Sequence, residues 1–312
     1  MNFINKEKNI AIFGATGHIA KNLIHYFSKN TKHKLFLFSR DEKKLQNFIS
    51  TISTDKNIIY GSYENIFFHK FDVIINCIGI ITPSEISKYK NEILSLSKKY
   101  DDLIIEYLKK NNTCQYINFS SGVIYDDFSQ PITDTSLPNL SISDSSIDSY
   151  SLAKIRSEFN HRSYSSLNIL DVRLFNFFSR FININTHFFV SEIIKSINNN
   201  EEFITNKQNF FRDFIHPEDF FHLICLCIKN STSNFAFDAY STLPISKYTI
   251  LEEFSNHFGL KYSFKDNLKL EQLAGFKNFY YSLSRKAKNI GYVPAHSSLE
   301  TLLDQSKFLI RH

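Results

Sequence analysis

A doubly wound α/β fold, with a parallel sheet covered by helices on both faces and a smaller C-terminal domain, is what the sequence predicts. Three observations predict it. The apolar run Asn9-Ile10-Ala11-Ile12-Phe13 enters a turn holding Gly14, Thr16 and Gly17 and leaves it as a helix-like segment. Strand-like runs then alternate with helix-like stretches, giving about six strands by Val172, the rhythm of a parallel sheet. The 312 residues, 43% hydrophobic and 21% charged, suffice for a large core, either as one big α/β domain or as a dinucleotide domain plus a smaller partner.

The first turn has the spacing Gly14, Gly17, Ala20. Strand, tight turn and helix N-terminus in that order suit a pyrophosphate, which the backbone of Gly14, Thr16, Gly17, His18 and Ile19 would cradle. Leu23, Ile24 and Phe27 continue at helical spacing as a crossover helix. Lys34 to Phe38 is a second strand and ends at Ser39-Arg40-Asp41-Glu42. An NAD site would place an acid here for the ribose 2′-hydroxyl, whereas a hydroxyl and a guanidinium suit a 2′-phosphate. NADP(H) is therefore favoured and NAD(H) stays open; Ser39 and Glu42 also read as a capping box.

Asn57 to Tyr60 is a short strand, and Phe71 to Gly79 a strong one that brings Cys77 and Gly79 beside the cofactor. Glu85 to Lys110 is helical, with a stripe of Leu94, Tyr100, Leu103, Ile104 and Leu108. The strand Gln115 to Ser120 delivers Ser121-Gly122-Val123-Ile124-Tyr125 at its end, and the Ser- and Asp-rich stretch Asp126 to Ser149 is long enough to be an active-site loop. A helix from Tyr150 to about Tyr164 and a strand from Asn168 to Val172 complete the alternation.

Composition excludes several classes. A net charge of +5 with scattered lysines argues against nucleic-acid binding. Cys77, Cys114, Cys225 and Cys227 lack metal-ligand spacing and read as small core residues of a reducing compartment, so no metal site is expected. There is no signal-peptide pattern, and the apolar run Phe71 to Ile81 is too short to span a bilayer. The expectation is a soluble cytoplasmic protein without membrane insertion.

Chemistry concentrates at Ser121, Tyr150 and Lys154. On a helix Tyr150 and Lys154 share a face. A phenol with a pKa near 10 is a poor base at neutral pH, but an adjacent ammonium favours the phenolate. Ser121, at a strand end facing that helix, can hydrogen-bond the same substrate oxygen. Such a set moves a proton on or off a carbinol while hydride moves between its carbon and a nicotinamide.

Gly14-x-x-Gly17-x-x-Ala20, Ser121 four residues before Tyr125, and Tyr150-x-x-x-Lys154 together resemble the extended short-chain dehydrogenases/reductases of the nucleotide-sugar epimerase, dehydratase and reductase group. The resemblance spans nearly the whole chain. It implies a Rossmann-type cofactor domain over residues 1–174, with 213–240 returning to it, and a substrate domain over 175–212 and 241–312. It also implies that Tyr150 is the base, that Lys154 holds the nicotinamide ribose, and that Ser121 orients the reacting oxygen. Asn176, in Arg173-Leu174-Phe175-Asn176, would approach the substrate phosphates, and Arg212, in Arg212-Asp213-Phe214-Ile215-His216, would bind the nucleotide diphosphate. Asp213, His216 and the closing Lys286-to-Pro294 motif are read as structural.

Sugar 4,6-dehydratases of the group carry an Asp-Glu pair where Gly122 and Val123 stand, which disfavours dehydration. A 4-keto-sugar reductase in surface polysaccharide precursor synthesis is the favoured expectation, on the Ser39-Arg40 junction. An NAD-dependent 4-epimerase and a non-catalytic NADP(H) sensor are the alternatives. The resemblance further implies a homodimer through the helices Glu85–Lys110 and Tyr150–Tyr164, and a nucleotide-diphosphate sugar as substrate.

Overall fold

The computed structural model describes residues 6–52, 57–79, 86, 88–89, 92–125, 127–138, 149–230, 234–265 and 277–311. Apolar runs such as Ile10-Ala11-Ile12-Phe13 are buried completely, because the sheet they enter is covered on both faces. Strands β1 (Asn9–Phe13), β2 (Lys34–Phe38), β3 (Ile58–Gly61), β4 (Val73–Asn76), β5 (Gln115–Ser121) and β6 (Asn168–Leu174) follow one another in the chain, and β11 (Asn234–Asp238) joins later. All seven are parallel, in the order β11-β6-β5-β4-β1-β2-β3. Phe13 stands level with Phe38 on one side and Asn76 on the other. The order reverses at β1, and there the carboxyl ends open a crevice.

Alternate residues of β1 face opposite layers. Ile10 and Ile12 pack with Leu23, Ile24 and Phe27 of α1 (His18–Asn30) and with Phe220 and Ile224 of a later helix, Pro217–Lys229. Ala11 and Phe13 pack with Ile104, Tyr107 and Leu108 of the helix Ile93–Lys110. The predicted helix from Glu85 is thus described as α3 from Ile93, and residues 80–85, where its expected start falls, lie outside the described residues. In the predicted loop Asp126–Ser149, position 126 and positions 139–148 lie outside them as well. Helix α2 (Glu42–Ile52) corrects one expectation. Asp41, not Ser39, caps it: the Lys44 N–H donates to Asp41 Oδ1 at 2.9 Å, while Ser39 Oγ accepts from the Asp41 N–H at 3.1 Å. The helix starts two residues too late for Ser39 to reach its third amide.

A second core gathers Phe178, Val190, Ile193 and Ile194 with Ile250, Leu251, Phe254 and Leu302. Apart from Phe178, which follows β7 (Asn176–Phe177), these come from α5 (Phe189–Asn199), α7 (Lys247–Phe258) and α8 (Ser298–Ser306); α4 (Ser149–Ser163) precedes α5 in the chain, and α6 (Pro217–Lys229) lies between α5 and α7. Three short ribbons accompany this core. Strand β7 pairs with β10 (Phe214–Ile215), β8 (Phe203–Thr205) with β13 (Tyr262–Phe264), and β9 (Phe211–Arg212) lies between β12 (Ile245–Ser246) and β14 (Phe279–Tyr280).

Helix α4 meets α3 and the sheet through buried polar groups. His161, fully buried, bonds Asp101 Oδ1 at 2.7 Å through Nε2 and Asp171 Oδ1 at 2.9 Å through Nδ1. Asp171 also accepts from Arg162 Nη2 at 2.6 Å and from Asn118 Nδ2 at 2.8 Å, and the Tyr116 hydroxyl donates to Asp101. Burial opposes a charged imidazole here, but Asp171 and Asp101 outweigh it and lift the His161 pKa to about 10. A folded-state pKa above the unfolded one makes this contribution complete below the unfolded value and lost as pH rises through the folded one. In urea titrations wild-type stability should therefore fall between about pH 6.5 and about pH 10, while His161→Gln should show a flatter profile there. That variant should also lose about 3 kcal/mol at neutral pH, since it removes the cation between two buried carboxylates and leaves Asp101 with hydrogen bonds but no buried charge partner.

Candidate active site

The turn after β1 is shaped for an anion. Gly14 has φ +72°, and a Cβ on it would lie 3.0 Å from the Cys77 carbonyl, so only glycine fits. The Gly17 N–H donates to Gly14 O at 2.9 Å, and the Ala15 N–H to Phe38 O at 3.0 Å, closing the turn against β2. Helix α1 begins at His18 without a side-chain cap, which leaves the amides of its first turn for a ligand. Thr16 and Ile19 are half-buried beside it. The residues present fit a dinucleotide pyrophosphate.

The His18 side chain turns away from that task. Its Nε2 meets Ser179 Oγ at 2.8 Å, Asn22 Nδ2 donates to the same oxygen, and burial followed by Lys21 lowers the imidazole pKa to about 3. Tyr63 closes the turn from the other side: its hydroxyl accepts from the Gly14 N–H at 3.2 Å and donates to Phe38 O at 3.1 Å. Nothing in the run Ser62-Tyr63-Glu64 signals this.

At the end of β2, Ser39 is half-buried and Arg40 exposed. At the end of β4 the Cys77 N–H donates to Phe13 O, its thiol is pushed up by burial, and Gly79 is exposed. All four cysteines are free thiols.

At the end of β5 the expected trio assembles in part. Lys154 Nζ donates to Phe119 O at 2.7 Å, two residues before Ser121, and lies 5.6 Å from the centroid of the Tyr150 ring. Burial lowers the Lys154 pKa, and Asp171, Asp101, Glu158 and Cys77 pull it back. Ser121, 6% exposed, meets the hydroxyl of Tyr280 at 3.1 Å. Gly122 faces Phe175 so closely that a Cβ would lie 2.4 Å from the ring.

Arg173 grips Glu158 with Nε–Oε1 at 3.0 Å and Nη2–Oε2 at 2.6 Å, and donates through Nη1 to the Tyr125 hydroxyl, which donates on to Asp238 Oδ1. The substrate-side residues sit farther along. Asn176 Nδ2 donates to Asp213 O at 3.1 Å. Arg212 Nη1 donates to Phe211 O and Lys277 O, both at 2.8 Å, and burial lowers the guanidinium pKa to about 10. Its guanidinium also lies over the Phe210 ring, with Cζ 4.3 Å from the centroid.

Asp213 accepts from the Ser241 N–H and Ser298 Oγ, and His216 caps α6 through the Glu218 N–H, both structural tasks. His216, Glu218 and His296 bring ligand-capable atoms within 4.8 Å of one another. The cap occupies His216 Nδ1, however, and Nε2 meets Asp304 at 3.2 Å, so both its nitrogens are engaged. Among the described residues no helix is long and apolar enough to cross a membrane.

The model of the NAD dependent epimerase/dehydratase family matches residues 10–241. No curated protein sequence matches the chain. Among solved structures, UDP-glucuronic acid 4-epimerase from Bacillus cereus, in complex with UDP-glucuronic acid and NAD, superposes with a TM-score of 0.81 at 15% identity over 96% of this chain and 98% of that one. UDP-N-acetylglucosamine 4-epimerase from Methanobrevibacter ruminantium gives 0.76 at 18% identity, over 97% and 98%. dTDP-glucose 4,6-dehydratase from Bacillus anthracis, in complex with NAD, gives 0.74 at 15% identity, over 96% of each chain.

Replacing Gly14 by alanine should cost about 2 kcal/mol of stability, the scale of forcing a side chain into left-handed backbone. It should also abolish the rise in melting temperature on adding NAD or NADPH, both effects being read by thermal unfolding.

Proposed function

We infer, for a chain that belongs to the NAD dependent epimerase/dehydratase family of extended short-chain dehydrogenase/reductase enzymes, reversible hydride removal at C4 of a nucleotide-diphosphate sugar, as in a 4-epimerase. The observation that carries this reading is the Lys154 ammonium, placed at the Tyr150 ring and anchored on Phe119 O beside Ser121. A bound nicotinamide dinucleotide supplies the hydride acceptor and donor. Tyr150 takes the proton from the C4 hydroxyl and returns it when the opposite face is reduced. Lys154 stabilises the phenolate and holds the ribose, and Ser121 hydrogen-bonds O4. Arg212 meets the diphosphate and Asn176 lies beside it. Cofactor binding falls to residues 1–174 with 213–240, and substrate binding to 175–212 with 241–312.

Gly122 supports chemistry without water elimination. An acid at that place would have to displace the Phe175 ring. The 4-epimerase reading takes precedence over the reductase because 4-epimerases recur among the similar structures. The reductase with NADP(H) is the second reading, favoured by Ser39 and the exposed Arg40 at the end of β2. A sensor without turnover has no use for the Tyr150–Lys154 pair. Pairing of two copies through α3 and α4 is part of the proposal, and Phe159, 57% exposed on α4, offers an apolar contact for it.

Freshly purified protein, denatured and its released nucleotide identified, should yield NAD; NADP(H), or an empty site that takes NADPH, would transfer the assignment to the reductase. Tyr150→Phe should bind cofactor normally and lose turnover of UDP-sugars by about a thousandfold, within the range general acid–base groups contribute. Unchanged activity would sink the assignment. If the reductase reading holds, Arg40→Ala should raise KM for NADPH far more than for NADH.

A further inference from the structure

Ser121 can orient a substrate oxygen only if its single proton points there. A serine hydroxyl has one donor and two acceptor sites, and in a crowded strand end the proton can be given to a protein acceptor instead. Two groups converge on Ser121 Oγ: the Tyr280 hydroxyl at 3.1 Å, and the Val123 N–H at 3.4 Å, which can only donate. We propose that Tyr280 is a positioning residue that donates its hydroxyl proton to Ser121 Oγ and thereby makes Ser121 an obligate donor toward the substrate oxygen. The inference rests on the C4 chemistry given above.

The surroundings hold Tyr280 to this task. It is 7% exposed, and its ring meets Phe175 at 5.1 Å and Phe128 at 5.0 Å, both edge-on. Backbone bonds lock its strand to the loop after β5: the Phe279 N–H donates to Phe128 O at 3.0 Å and the Ile132 N–H to Tyr281 O at 3.1 Å. Two cations flank the ring, Lys277 Nζ at 4.5 Å from its centroid and Arg212 Cζ at 5.8 Å. Positive charge beside a phenol draws density from its oxygen and strengthens it as a donor rather than an acceptor. Hydrogen bonds in series polarise one another, so a Tyr280-to-Ser121-to-substrate chain strengthens the last link, where negative charge grows on oxygen when a ketone is reduced. Residue 280 belongs to the C-terminal part of the chain, so this part contributes to the chemistry as well as to substrate binding.

The test is a double-mutant cycle on the full chain, with turnover of UDP-glucose, UDP-glucuronic acid and UDP-N-acetylglucosamine followed for wild type, Ser121→Ala, Tyr280→Phe and the double variant. Tyr280→Phe keeps the ring and its packing, and a melting temperature near wild type confirms the fold. It should lower kcat by about tenfold, the scale of one hydrogen bond, with KM nearly unchanged. In the Ser121→Ala background it should have no further effect. Equal kcat in Tyr280→Phe and wild type, a loss confined to KM, or losses that multiply in the double variant would overturn the role of Tyr280 while leaving the C4 reading intact. Full activity in Ser121→Ala, or no turnover of any sugar by wild type, would overturn both.

Discussion

Charge buried along one face of a single helix constrains the rest of this structure. Lys154, Glu158 and His161 recur on α4 at intervals that place them toward the sheet. Each finds its partner outside the helix: Lys154 the Phe119 carbonyl of β5, Glu158 the Arg173 guanidinium of β6, and His161 the carboxylates of Asp101 on α3 and Asp171 on β6. A small rotation or slide of α4 would strand several buried charges at once, which costs far more than losing an apolar contact. The helix is therefore held in one register, and Tyr150 in its first turn is held with it. Geometry that a proton-transferring phenol needs thus follows from pairing that lies two to three turns away.

The same economy of position operates at the glycine turn. Gly14 brings the backbone close to Cys77, Tyr63 ties the turn to β2, and His18 with Asn22 ties the start of α1 to Ser179, just past β7. The backbone of the glycine turn is thereby coupled to the segment that carries Asn176. The Arg212 guanidinium lies 5.8 Å from the centroid of the Tyr280 ring, and Tyr280 on β14 meets Ser121 at the end of β5. The site is a seam between the sheet and the C-terminal core, and each contributes groups the other lacks.

Much of this was legible in the residues themselves, and the limits of legibility are physical. Strands β1, β2 and β4 appear as nearly continuous apolar runs because a doubly covered sheet leaves little room for polar side chains, whereas β5 and β6 carry Asn118 and Asp171, which are buried only because they bond each other and His161. The seventh strand, Asn234–Asp238, pairs with β6 after an excursion of about sixty residues, a neighbour relation that local pattern does not encode. The Ser39–Glu42 capping box failed because the helix started two residues later than the pattern suggested, with Asp41 as its cap.

What the sequence by itself determined was the order of elements and the identity of the groups with reach and chemistry: the Gly14 turn, Ser121, Tyr150 and Lys154, Asn176 and Arg212. Local spacing singles out the Gly14 turn, Ser121, Tyr150 and Lys154, since turns, helix faces and strand ends are properties of short stretches, whereas Asn176 and Arg212 were named by the family resemblance alone. Only the tertiary structure decided who meets whom. Tyr280 on Ser121, Tyr63 on Gly14, and His161 between Asp101 and Asp171 join residues that are 159, 49, 60 and 10 apart in the chain. No periodicity announces such pairs, because they exist only once packing has chosen which buried polar groups must satisfy one another.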